Sequence, residues 1–464
     1  MTSATEGLED WLLRESDRAA ARLLGNVSPP GALPGVIVAS PSRSNPDYFY
    51  HWVRDAGIVV RAILFFYQST SEPTARRRAL GLLLDFVDFS RLIQRTAVDE
   101  GIGLGEPKFT VRGSPYTGPW GRPQDDGPAI RALELTHLAF VLLDEGKIEL
   151  VREKLYDVAL PTRSVIKTDL EYLAHRWRGT GYDVWEEVRG HHFFTRLLQR
   201  KALRQGAALA ARLGDAGAAD FYLEQAGALG EELRRHWDPR RGYLVATVDR
   251  EGDGPDRRSG LDSSVIVAAL GGYTLDEDLA IEDLYPMDHE QLLATMVALE
   301  RVFGELYPIN DPSRHVAGIA IGRYPEDRYD GYRTDSLGNP WPSLTLAFAM
   351  VYYKLARCCW RLQRIRVTPL CFPFFQRLPA APPGLSPGAE VRRGDPRFDQ
   401  LLDALRRAGD TFMERVRLHE GQGGSLSEQM NRSTGLQQGA ADLSLGYAAF
   451  LLATGMRRRL LLAR

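Results

Sequence analysis

Apolar residues recur at three- and four-residue intervals along most of the chain, the period of helices with one face buried. The pattern predicts about twelve helices, at 6–23, 52–69, 74–96, 127–146, 148–175, 192–213, 215–237, 262–271, 288–304, 341–364, 397–419 and 442–457. Alternation with a period of two is short and local, as in Tyr243-Leu244-Val245-Ala246-Thr247-Val248. The helices are of two kinds, and the kinds alternate. Odd-numbered ones carry a charged outer face, as from Arg76 to Asp85 and from Phe398 to Arg407. Even-numbered ones are apolar nearly all round, as from Ala56 to Phe66, Val265 to Leu270, Leu344 to Val351 and Leu443 to Ala453. A helix with one apolar stripe lies on the outside, and one apolar all round is enclosed by others. Outer then inner, six times over, predicts an all-α chain folded as an (α/α)6 toroid, one domain over residues 1–464. A solenoid of helix pairs would carry a sequence repeat, and none is present.

The connections fit the same plan. Long segments rich in Gly, Pro and aromatic residues precede the even helices, at 24–51, 97–126, 176–191, 238–261, 305–340 and 420–441. Connections of one parity emerge at one end of an up-and-down array, so all six are expected on one face, where loops carry function. Most reverse connections are short; an acidic segment at 272–287 and a Pro-rich crossover at 365–396 are longer and are read as structural.

Composition narrows the function classes. A formal charge of −2 with 44% hydrophobic residues gives no global field for nucleic acid or an anionic membrane. No apolar run is long enough to span a bilayer. Residues Met1 to Glu6 form no basic-then-apolar signal peptide, so the expectation is a cytoplasmic protein, or an extracellular one whose export signal is missing from this chain. The three cysteines (Cys358, Cys359, Cys371) form no disulfide framework, and no Cys, His and acid cluster has metal-ligand spacing. No metal or cofactor is implied, and a monomer is expected.

Chemistry concentrates in the long loops. The first ends in Asn45-Pro46-Asp47-Tyr48-Phe49-Tyr50-His51-Trp52-Val53-Arg54-Asp55. The second holds Gly105-Glu106-Pro107-Lys108-Phe109 and Gly118-Pro119-Trp120-Gly121-Arg122-Pro123-Gln124. The third is Gly181-Tyr182-Asp183-Val184-Trp185-Glu186-Glu187, with three carboxylates and two large aromatics in seven residues. Like charges this close raise one another's pKa, and an aromatic wall adds desolvation, which is how a carboxylic acid is kept as a proton donor. Taken alone, the same stretch reads as a solvated acidic turn before a helix. The fifth loop carries Gly322-Arg323-Tyr324-Pro325-Glu326-Asp327-Arg328-Tyr329 and, after a polar insert, Trp341; the sixth carries Ser427-Glu428-Gln429. Aromatic faces cover sugar rings, and charged groups grip hydroxyls. Two acidic loops on one face suit glycoside hydrolysis, which needs a protonated carboxylic acid and a second carboxylate as base or nucleophile.

From about residue 35 to about 455 these motifs, in this order, resemble the glucoamylases of glycoside hydrolase family 15. The resemblance implies the same (α/α)6 fold and an α-glucan or maltooligosaccharide substrate, with glucose removed from non-reducing ends by inversion, more slowly at α-1,6 than at α-1,4 links. It implies Glu186 as general acid and Glu428 as general base. By the same resemblance Arg54 and Asp55 bind hydroxyls of the terminal glucose, Arg323 and Glu187 hold sugars across the scissile bond, and Val184 and Trp185 line the terminal subsite. Trp120 packs at the acid, Tyr48 lies beside the base, and Trp341 sits further out. The chain departs from the family in having Val184 for a Leu and Met430 after Ser-Glu-Gln. It also lacks the disulfide cysteines and starch-binding domain of secreted members. Exo-hydrolysis of another α-glucoside, such as dextran or trehalose, remains open. So does an inactive glucan-binding module on the same toroid, although such a module is expected to have lost Glu186, Glu428, Arg54 or Asp55.

Overall fold

The computed structural model describes residues 7–99, 101, 103–159, 164–271, 284–314 and 318–462. Its helices are α1 (Leu8–Gly25), α2 (Val53–Ser69), α3 (Pro73–Asp99), α4 (Asp126–Asp144), α5 (Ile148–Lys154), α6 (Val165–Arg176), α7 (Phe193–Leu213), α8 (Ala216–Leu233), α9 (Ser264–Leu270), α10 (Glu290–Leu306), α11 (Pro342–Leu362), α12 (Phe372–Gln376), α13 (Pro396–His419) and α14 (Ser444–Leu462).

Six of them close a ring. α2 touches α4, α4 touches α7, α7 touches α9, α9 touches α11, α11 touches α14, and α14 returns to α2. Each outer helix packs on an inner one: α3 on α2, α6 on α4, α8 on α7, α10 on α9, α13 on α11, and α1 on α14. The burial pattern follows from this. Along α4 every residue from Asp126 to Phe140 is buried. Outer α13 instead buries a stripe through Phe398, Leu401, Leu402, Leu405, Ala408, Phe412 and Val416. The (α/α)6 toroid read from the alternating helices is the fold observed.

Close packing of the ring depends on missing side chains at two crossings. A Cβ on Gly57 of α2 would come within 2.5 Å of the Ile130 methyl on α4. One on Gly455 of α14 would run into the Phe65 ring of α2.

The expected continuous helix at 148–175 is corrected to two elements, α5 and α6. Pro161 lies between them in the sequence, and a helix interior excludes proline. A new start is marked by Ser164, whose hydroxyl accepts the Lys167 N–H at 3.0 Å. The crossover at 365–396 is tied down by an antiparallel pair, Arg364–Val367 with Ala389–Arg392, and contains α12. The acidic connection expected at 272–287 lies outside the described residues as far as 283, as do residues 1–6 at the N-terminus.

Buried ion pairs join the two rings. Arg131 of α4 donates to both oxygens of Asp169 on α6, at 2.7 and 2.6 Å. Gln94 of α3 donates to the same carboxylate at 2.9 Å. Asp169→Ala strands the Arg131 charge and should lower unfolding free energy by about 3–5 kcal/mol. The double variant with Arg131→Met should recover most of the loss in urea denaturation.

Candidate active site

The inner helices run parallel, so their N-termini and the long loops before them share one end of the ring. Short strand pairs stiffen those loops: His51–Trp52 with Lys108–Phe109, Gly181–Tyr182 with Arg189–His192, and Gln429–Met430 with Gln437–Gln438. The loops enclose a cavity of about 550 Å³. Tyr48, Arg54, Asp55, Trp120, Val184, Trp185, Glu186, Glu187, Arg323, Trp341 and Glu428 all line it. Every residue singled out in the sequence is therefore brought to one place.

Glu186 sits at the tip of a tight turn. Asp183 N–H donates to Val188 O and Glu186 N–H to Asp183 O, both at 2.9 Å. The turn puts Glu186 at φ 67°, a left-handed conformation that costs a non-glycine residue about 1–2 kcal/mol. The Asp183 carboxylate holds it closed by accepting the N–H groups of Glu187 and Val188 at 2.8 and 3.0 Å. So posed, Glu186 Oε1 accepts from Trp52 Nε1 at 3.0 Å and from Arg54 Nη2 at 3.2 Å. Arg54 also donates to Asp126 at 2.7 Å and to Gln124 at 3.0 Å. Burial pushes the neighbouring Asp55 carboxyl up to about 6, with Arg54 pulling the other way.

Repulsion within the acidic stretch is not what shapes it, which corrects the like-charge expectation. Arg257 donates to Asp183 at 2.9 Å and to Glu187 at 2.7 Å. Arg323 donates to the other Glu187 oxygen at 2.9 Å, and Tyr324 adds a 2.6 Å hydrogen bond. Although burial opposes it, Arg257, His192 and the two backbone donors hold Asp183 below its ordinary range. Trp185 donates to Asp262 at 2.9 Å and packs on Trp341 with ring centroids 5.9 Å apart.

Glu428 occupies a different environment. It is 1% exposed. Tyr48 donates to its Oε1 at 2.8 Å and Tyr329 to its Oε2 at 3.1 Å. The two hydroxyls lie 2.9 Å apart. Burial pushes the Glu428 carboxyl up to about 7, against the pull of both tyrosines and of Arg323.

Four contributors had no role assigned from the sequence. Trp52, rather than Trp120, touches Glu186, while Trp120 packs on Trp52 at 6.0 Å. Tyr329 ends the fifth-loop motif, but a loop tyrosine carries no signal of its target. Arg257 lies in the fourth loop and Asp262 at the expected start of the helix that follows, and neither was singled out; an Arg and an Asp five residues apart were the one available hint. Among the described residues no group of three His, Cys, Asp or Glu is placed to hold a metal ion.

The model of the glycosyl hydrolases family 15 matches residues 18–454. A glucoamylase of Blastobotrys adeninivorans is 35% identical, the match covering 98% of this chain and 73% of that protein. Glucoamylase 1 of Rhizopus oryzae is 33% identical over 96% of this chain and 70% of its own. Among solved structures, the glucoamylase from Saccharomycopsis fibuligera superposes with a TM-score of 0.86 at 32% identity, covering 98% of this chain and 96% of that one.

Tyr48 and Tyr329 both stabilise the ionised Glu428. Tyr329→Phe removes one donor, so the Glu428 carboxyl should titrate above its present value of about 7. Isotope-edited infrared titration of the carboxyl band checks the direction.

Proposed function

Because the chain belongs to the glycosyl hydrolases of family 15, we propose that it removes single glucose units from the non-reducing ends of α-1,4-linked glucans and maltooligosaccharides. Glucose in α-1,6 linkage leaves more slowly. The observation that carries this reading is the convergence of Glu186 and Glu428 on one cavity with Arg54, Asp55 and a set of tryptophans. The inner helices surround that cavity, with Ile58, Val267, Ala347 and Leu452 on its deeper wall. A wall on that side suits a glucan that enters by its end, which supports exo-cleavage.

Glu186 is the proton donor in this scheme. Its proton goes to the glycosidic oxygen as the bond from that oxygen to C1 breaks, and the bonding pair stays with the leaving sugar. Glu428 is the base. It takes a proton from a water that attacks C1 from the opposite side, so the product is β-glucose. A carboxyl raised toward neutrality is a stronger base than an ordinary one, and the Tyr48 and Tyr329 hydroxyls keep its ionised form within reach. Arg54 and Asp55 bind hydroxyls of the terminal glucose, and Val184 and Trp185 face its ring. Arg323 and Glu187 form one fixed ion pair at 2.9 Å that holds sugars across the bond to be cut. Trp120 and Trp341 supply flat walls. An inactive binding module on the same toroid is the weaker reading, because both carboxyls and their partners are in place.

Maltoheptaose incubated with the protein and followed by proton NMR should yield β-glucose as the first product. Initial α-glucose, or internal cleavage products, would sink the scheme. Glu186→Gln should bind maltooligosaccharide yet lose at least about a hundredfold in kcat, the scale of lost general-acid help. Near wild-type turnover would place the acid elsewhere.

A further inference from the structure

Lys108 is 3% exposed, and its charge is met by ring faces. The ammonium lies 4.3 Å from the centroid of Tyr50, 4.4 Å from Trp52, 4.1 Å from Tyr116 and 4.0 Å from Trp120. The four rings also meet one another in a closed circuit. Tyr50 stands at 81° to Trp52, Trp52 at 57° to Trp120, Trp120 at 80° to Tyr116, and Tyr116 at 80° to Tyr50. The result is a four-walled box around one cation. Its backbone basis is the strand pairing that sets Lys108 directly opposite Trp52, so the two side chains leave on the same face.

An ammonium taken out of water needs compensation, and aromatic faces turned toward a desolvated cation supply it. The attraction acts both ways. The charge draws four ring faces to one point and so fixes their tilt. Two of those rings belong to the site: Trp120 lines the cavity, and Trp52 donates to Glu186.

We propose that Lys108 is a positioning residue for the catalytic acid: its ammonium holds the aromatic box, and the box sets Trp52 against the Glu186 carboxyl. This rests on Glu186 being the acid. The charged groups facing Lys108 are Glu186, Asp47, Glu106 and Arg122. Glu106 and Arg122 pair with each other at 2.5 Å, and Asp47 is exposed. Glu186 is thus the buried-site carboxyl on which the Lys108 charge bears most directly. Burial pushes Lys108 down to about 8, so the box holds a cation at neutral pH.

Lys108→Met keeps the length of the stem and removes the charge. Its kcat on maltose should fall about tenfold to a hundredfold, as for a small misplacement of a reacting group, with KM within about twofold. Lys108→Arg keeps a cation in the box and should restore most of the lost kcat. Loss of thermal stability in Lys108→Met with kcat unchanged would make the box structural only and overturn the proposal. So would an equal loss of kcat in both variants. Should Lys108→Met fail to fold, Trp52→Phe reads the same link, since it keeps a ring face and loses the hydrogen bond to Glu186: kcat should fall with KM retained, and unchanged kcat would refute the link. The maltoheptaose assay on the unaltered protein tests the underlying reading separately.

Discussion

A guanidinium buried at the mouth of a helix ring has to be met from several sides, and Arg54 is where that demand organises the site. It stands in the first turn of α2, 8% exposed. An unpaired charge there would cost several kcal/mol. Its partners come from two separate segments: Gln124 and Asp126 where the second loop enters α4, and Glu186 from the third loop. The shared cation is what draws them to one point, and Glu186 arrives at the cavity as a consequence.

The same physics disposes of the other acids in the opening turn. Arg257 spans Asp183, Glu187 and Asp262, and Arg323 spans Glu187 and Asp327. Asp183 and Glu187 are thereby committed to holding the turn, and Glu186 is turned toward Trp52. Glu428 is held by other means. Phenolic hydroxyls are its nearest donors, and Gly439 packs so tightly behind it that a Cβ would come within 2.5 Å of its Oε2. Two carboxyls of one chemical type thus sit in environments of different polarity, the condition under which a pair can divide acid and base work.

The toroid was legible because the alternation of enclosed and half-exposed helices is a local property of the hydrophobic pattern. Every helix pair could be read without knowing its neighbours. The break inside 148–175 was marked by Pro161 and the Ser164 cap, both overridden by a strong apolar period. At the site, residues carried by dense local motifs were legible: Arg54 and Asp55, Trp120, the turn from Gly181 to Glu187, Arg323 and Glu428. Trp52, Tyr329, Arg257 and Lys108 were not. Their importance lies in partners far along the chain. Arg257 meets Asp183 across 74 positions, and Trp52 meets Glu186 across 134. Such pairings exist only once the ring has closed, and no spacing in the sequence encodes them.

The turn that carries Glu186 and the loop that carries Glu428 share no hydrogen bond among the described residues, yet the two carboxyls are not independent. Tyr48 donates to Glu428 and packs on Trp52 with centroids 5.4 Å apart, and Trp52 donates to Glu186. The path from one carboxyl to the other is two side chains long. Tyr329 touches Glu428 from the far side and makes no ring contact with Trp52. A change at Tyr329 acts first on the base and reaches the acid only through Tyr48, whose hydroxyl it meets at 2.9 Å, whereas a change at Tyr48 also moves the ring that positions the acid. Tyr48 belongs to both halves of the site, and its hydroxyl and its ring do separate jobs there. Loss of the hydroxyl is a change in electrostatics at Glu428, and loss of the ring is a change in geometry at Glu186.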